Sequence, residues 1–84
     1  MSIYFVKKVK IYFRDDEFLI IIGRNVRKLR TTAGLTQTEL AFLCNDSDYS
    51  QINRIELGKI NFSVSYLTLL STALKVEITE IISN

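Results

Sequence analysis

The sequence predicts an all-α domain of five short helices, preceded by a single β-strand arm. Three observations carry that expectation. From residue 15 onward, apolar residues recur at three- and four-residue spacing. Several of the resulting segments open on a capping side chain and close on glycine or asparagine. Residues 2–13, SIYFVKKVKIYF, instead alternate like a strand and are rich in β-branched and aromatic residues.

The arm, residues 1–14, sets Ile3, Phe5, Val9, Ile11 and Phe13 on one side, broken by Lys7. A lone strand is not stable, and nothing else in the chain looks like a partner. The expectation is a two-stranded ribbon with the same segment of a second subunit. A partly ordered tail, or a strand packed on the fifth helix, is the alternative.

The helical domain takes residues 15–84. Its first helix runs from Asp15 or Asp16 to about Thr32, with Asp15, Asp16 and Glu17 at its positive end. Ile22, Val26 and Leu29 form its core stripe, and Gly34 closes it in a left-handed conformation. Thr36 and Glu39 form a capping box for the second helix. Leu40, Leu43 and Cys44 share its apolar face, Ala41 permits close approach of another helix, and Asn45 ends it. Asp46-Ser47-Asp48 is turn chemistry. Asp48 and Gln51 then form a second capping box, Ile52 and Ile55 face inward, and Gly58 stops the third helix. Ser63 caps a fourth helix with the stripe Val64, Leu67, Leu70 and Leu74. A fifth covers about Ile78 to Ile82, with Ile78, Ile81 and Ile82 apolar.

Composition excludes several classes of function. Eighty-four residues make one small domain at most, and 48% hydrophobic content suffices for a helical core. With no His and one Cys, no ordinary zinc cluster, Cys-His catalytic pair or disulfide framework can form within one chain. Cys44 reads as a small buried hydrophobe rather than a redox sensor. Without a Gly-rich phosphate loop or clustered carboxylates, nothing is left to carry enzyme chemistry, and no cofactor or metal is expected. The longest apolar run, Phe18 to Ile22, is too short to cross a bilayer. Lys7 and Lys8 follow only six residues, unlike a secretory signal, so a reducing cytoplasm is the expected setting.

The segment TQTELAFLCNDSDYSQINRIELG, residues 36–58, therefore carries most of the functional reading. Two capped helices of about eight or nine residues around a short turn have the form of a helix-turn-helix. Spacing alone fits a purely structural hairpin equally well. Tyr49, Ser50, Asn53 and Arg54 lie outward near the amino end of the second of these helices. Charge is distributed unevenly. Residues 1–35 hold eight basic and three acidic side chains, a balance of +5, whereas residues 36–84 carry −3. Affinity for phosphates is then expected from the arm and first helix, including Arg24, Arg27 and Lys28, unless these are a solvated face.

IGRNVRKLR, GLTQTELA and SQINRIELGK resemble the Cro/cI-type (xenobiotic-response-element) helix-turn-helix regulators of bacteria and phages. The resemblance spans Phe18 to about Ile82, and the pieces LTQ-x-ELA and RIE-x-G-K are specific in order and spacing. Between Ala41 and Ile52 this chain has one residue more than the usual spacing, which implies a longer turn. Either Tyr49 or Ser50 is then first to meet a base.

The resemblance implies a compact lambda-repressor-like fold that binds double-stranded DNA. It assigns Gln37 to a phosphate contact and to bracing the recognition helix. Asn61, with neighbouring Lys59, falls at the backbone-touching loop, and Arg30 with Glu56 at a structural salt bridge. Tyr49, Ser50, Asn53 and Arg54 match base-reading positions. Asn can bond adenine bidentately, Arg can bond guanine O6 and N7, and Tyr can meet a thymine methyl or a phosphate. The expected function is a homodimeric regulator, a repressor or operon controller, reading a palindromic operator with no small-molecule ligand. The alternative is an antitoxin-type module that binds a toxin or other protein partner and autoregulates its operon.

Overall fold

Residue 15 begins the helical body by accepting, through its side chain, the amide of Phe18 at 3.0 Å. Helix α1 (Asp16–Thr32) follows, with Asp16 and Glu17 in its first turn. The remaining elements are α2 (Gln37–Leu43), α3 (Ser50–Glu56), α4 (Val64–Leu74) and α5 (Ile78–Ile82). This computed structural model describes residues 14–84. The strand and ribbon expected of residues 2–13 lie outside the described residues.

The first four helices end in the same way. A residue with positive φ follows the last turn, and its own amide and that of the next residue bond back to carbonyls of that turn. Gly34 (φ 75°), Asn45 (φ 64°), Gly58 (φ 71°) and Lys75 (φ 58°) occupy this position after α1, α2, α3 and α4. The Leu35, Asp46, Lys59 and Val76 amides reach the Arg30, Ala41, Arg54 and Ser71 carbonyls at 2.9–3.1 Å. These are Schellman closures, which satisfy carbonyls that the helix leaves unpaired and reverse the chain within two residues. Short loops and short helices follow from them.

The core is built from one stripe of each helix. Ile22 and Val26 of α1 join Leu40 and Ala41 of α2 together with Cys44, which follows α2, while Leu19 is buried outside this cluster. Ile52 and Ile55 of α3, Tyr66, Leu70 and Leu74 of α4, and Ile81 of α5 complete it. Asn25 ties α5 to α1 by donating from Nδ2 to the Ile81 carbonyl at 2.8 Å and the Ser83 carbonyl at 2.5 Å. α1 lies closest to α3. A Cβ on Gly23 would sit 2.4 Å from the Ile55 carbonyl oxygen and 2.7 Å from that of Glu56. Only glycine allows this crossing.

Three expectations are corrected. Leu43 is 53% exposed, because α2 packs against both α3 and α4 and the buried arc falls on Leu40, Ala41 and Cys44. Val64 is 77% exposed, because the inward arc of α4 is Tyr66, Leu70 and Leu74, with Leu67 at its edge. Asp48 and Gln51 do not form a capping box. α3 starts at Ser50, one residue later than that box requires, and the Asp48 carboxylate accepts the Ser50 amide at 2.8 Å in an Asx turn. The Thr36–Glu39 box forms as expected, with reciprocal bonds of 3.0 and 2.8 Å.

Candidate nucleic-acid interface

The longer turn ahead of α3 is held from below. Tyr66 is buried in the core, and its hydroxyl donates to the Asp46 carboxylate at 2.5 Å. Burial first, and then the Asp46 bond, push the Tyr66 phenol well above its usual range, so it stays a donor. Cys44 sits beside it, and burial raises its thiol. The thiol is therefore kept protonated, as the small-hydrophobe reading requires. Asp48 is fully exposed, and the Ser50 backbone bond draws its carboxyl below the usual value.

α3 divides its seven residues by face. Ile52 and Ile55 are buried, and Glu56 closes the helix against α1. Arg30 meets Glu56 through two bonds, Nε to Oε2 at 2.6 Å and Nη2 to Oε1 at 3.1 Å. The Arg30 side chain is 12% exposed and that of Glu56 only 3%. Arg30 also donates from Nη1 to the Leu35 carbonyl at 2.8 Å, which fixes the α1–α2 corner. Gln37 adds a link from α2, donating from Nε2 to Glu56 Oε1 at 3.0 Å and to Asn53 Oδ1 at 3.3 Å. α3 is thus braced by both preceding helices.

The opposite face stays open. Tyr49, just before α3, is 51% exposed, and Arg54 is exposed, while Ser50 and Asn53 are half-buried. Gln51, assigned to a cap by its spacing, has no such bond and joins this polar surface half-buried. Only the residue-by-residue start of the helix reveals it, and the sequence offers no signal for that. The first helical residue is Ser50, with Tyr49 in a helical conformation ahead of it (φ −83°, ψ −3°).

The basic residues divide into groups. On α1, Ile20, Gly23, Arg27 and Arg30 share one face by helical spacing, and that face meets α3, with Arg24 on its flank. Arg24 and Arg27 are exposed there. Lys28 lies elsewhere, lining with Asn25, Thr32 and Glu80 a groove between α1 and α5. Lys59 and Asn61 are exposed in the loop after α3. Arg14 braces that loop, donating to the Lys59 carbonyl at 3.1 Å while paired with Asp16 at 3.3 Å. Among the described residues no cluster of His, Cys, Asp and Glu could hold a metal ion, and no helix is long and apolar enough to cross a membrane.

Two short helices braced against each other, the second offering polar side chains outward, have the form of the helix-turn-helix of DNA-binding regulators. The sequence comparison agrees: the helix-turn-helix family HTH_3 matches residues 26–81, and the chain belongs to that family. Among solved structures it is similar to the restriction-modification controller protein C.AhdI from Aeromonas hydrophila. That match has 40% identity and a TM-score of 0.71, covering 75% of this chain and 94% of that one. A hypothetical transcription factor, NHTF, from Neisseria shares the fold at 22% identity and TM-score 0.74, over 89% of this chain and 86% of that one. An HTH_3 family transcriptional regulator from Vibrio cholerae does so at 22% identity and TM-score 0.74, over 81% of this chain but 38% of that longer one. The comparison with curated proteins gives no match. The family match and these likenesses support a DNA-binding transcriptional regulator.

Proposed function

We propose that this chain is a homodimeric, sequence-specific regulator that lays α3 in the major groove of a palindromic operator and controls its own or a neighbouring operon. The observation that carries this reading is the braced α3, whose buried face is anchored by Glu56 while Tyr49, Ser50, Asn53 and Arg54 remain available to base edges. Arg24, Arg27, Lys59 and Asn61 are the phosphate contacts beside it. Lys28, set against α5, contributes through the general field. Gln37 serves as the brace, since both hydrogens of its amide nitrogen are already engaged. Likeness to a restriction-modification controller favours operon control over an antitoxin-type module.

Selection of bound DNA from a random pool tests this directly. The expected product is an inverted repeat with half-sites about one helical turn apart, some 10–10.5 base pairs. A pool that yields no enriched sequence, or a single unrepeated site bound by a monomer in sedimentation, overturns it.

A further inference from the structure

Arg30, Glu56, Gln37 and Asn53 form one directed chain of hydrogen bonds, and its direction fixes what Asn53 can offer to DNA. Glu56, paired with Arg30, can only accept. The Gln37 atom 3.0 Å from it is therefore the donor Nε2. That same nitrogen lies 3.3 Å from Asn53, and an N–H can be received only by an acceptor, so Asn53 turns Oδ1 inward. Reversing the Asn53 amide would set two NH2 groups against each other. Reversing Gln37 would set its oxygen against the carboxylate. The orientation is thus dictated by the ion pair two links away.

The outward atom is Asn53 Nδ2. It makes no hydrogen bond to the described residues, and among these no buried side-chain polar atom lacks a partner, so this NH2 is open to solvent. We propose that Asn53 is a donor-only reader, oriented by Gln37 as a positioning residue, and that it selects keto bases and rejects adenine. Set against the 6-position of a purine or the 4-position of a pyrimidine, an NH2 group can donate to guanine O6 or thymine O4 but meets the adenine N6 amine as a second donor. Purine N7 accepts equally in guanine and adenine and does not discriminate. Bidentate recognition of adenine needs the side-chain oxygen to accept from N6, and that oxygen is occupied. Cytosine offers only its N4 donor and is excluded. This inference rests on α3 entering the major groove and specifies what one position there reads.

The test is selection from a random pool with the wild type and three variants, Asn53→Ala, Asn53→Asp and Gln37→Met. Asn53→Ala identifies the base position by flattening it. At that position the wild type is expected to favour guanine or thymine over adenine at least about tenfold. Asn53→Asp, whose outward atom is an acceptor, is expected to reverse this toward adenine and cytosine. Gln37→Met removes the brace but keeps the shape, so adenine should rise about tenfold there and nowhere else. A merely structural role for Gln37 would weaken all sites alike. The proposal is overturned if the wild type prefers adenine at the flattened position, if Asn53→Ala flattens none, or if folded Gln37→Met leaves the profile unchanged. Should Gln37→Met fail to fold, the Asn53→Asp reversal decides alone. Failure of the broader DNA-reading proposal looks different: the wild type itself enriches nothing.

Discussion

Arg30 and Glu56, 26 residues apart in sequence, meet through two hydrogen bonds of 2.6 and 3.1 Å at the seam between α1 and α3. With side chains only 12% and 3% exposed, each is the other's charged partner, and the Leu35 carbonyl and Gln37 only supplement the pair. Glu56→Ala or Arg30→Ala should therefore destabilise by about 3–5 kcal/mol, because a buried charge is left unpaired. Urea denaturation of the two single variants and the double variant checks this. The double variant should cost less than the sum of the singles.

Gly23 permits a close backbone approach of α1 to α3, with carbonyl oxygens of Ile55 and Glu56 where a Cβ would stand. Backbone atoms cannot swing aside as a flexible side chain can. Gly23→Ala is expected to cost about 2–3 kcal/mol by overpacking. It should also displace α1 from α3, weakening the Arg30–Glu56 pair. A drop in the denaturation midpoint without a change in slope is the expected result.

Lys75 holds a left-handed conformation that an L side chain adopts only at a cost of roughly 1–2 kcal/mol. It is exposed, and the α4 closure uses its backbone alone. Lys75→Gly is expected to stabilise the domain by about 0.5–1 kcal/mol, since glycine's greater unfolded entropy offsets part of the relief. Thermal unfolding should shift upward.

Cys44 provides a pH-dependent test. Its thiol is raised in the folded state, first by burial, so the fold favours the protonated form. Stability from this source is complete below the unfolded thiol value, about 8.5, and is lost as pH rises above it. Labelling by a thiol reagent at pH 8 should be slow and should track unfolding. Fast labelling of the native protein would contradict the burial.

On the proposed DNA face, Arg54 reads a base and Arg27 holds a phosphate, so the two can be told apart. Arg54→Ala should cost about 1–3 kcal/mol of operator affinity and relax preference at one base. Arg27→Ala should weaken all sequences alike and lower the salt slope by about one. Unchanged affinity in both would remove the assigned DNA face.

Much of this was legible in the chain because the responsible physics is local. Thr36 and Glu39 cap through neighbours three residues apart, and Gly34, Asn45 and Gly58 mark closures by their tolerance of positive φ. What local spacing missed was set by distant packing. Leu43 and Val64 lie near apolar stripes, but the directions from which α3 and α4 approach α2 leave both outside. Lys75 carries no sign of its left-handed role. Asp48 has the right spacing for a capping box with Gln51, yet the extra turn residue lets it bond Ser50 instead. Arg30 and Glu56 are visible only through resemblance, since no periodicity connects residues so far apart.

The division of labour along α3 has a consequence for how such a regulator changes its target. Tyr49 and Arg54 carry neither core packing nor brace bonds, so on the proposed DNA face they can be exchanged and new operators tried at little risk to the fold, whereas Ser50 is half-buried and bonded to Asp48. Position 53 is tied in more closely, since its side-chain oxygen accepts from Gln37, which in turn donates to Glu56. Divergence among close relatives should accumulate first at the freer sites, and a change at position 53 should often be accompanied by one at residue 37.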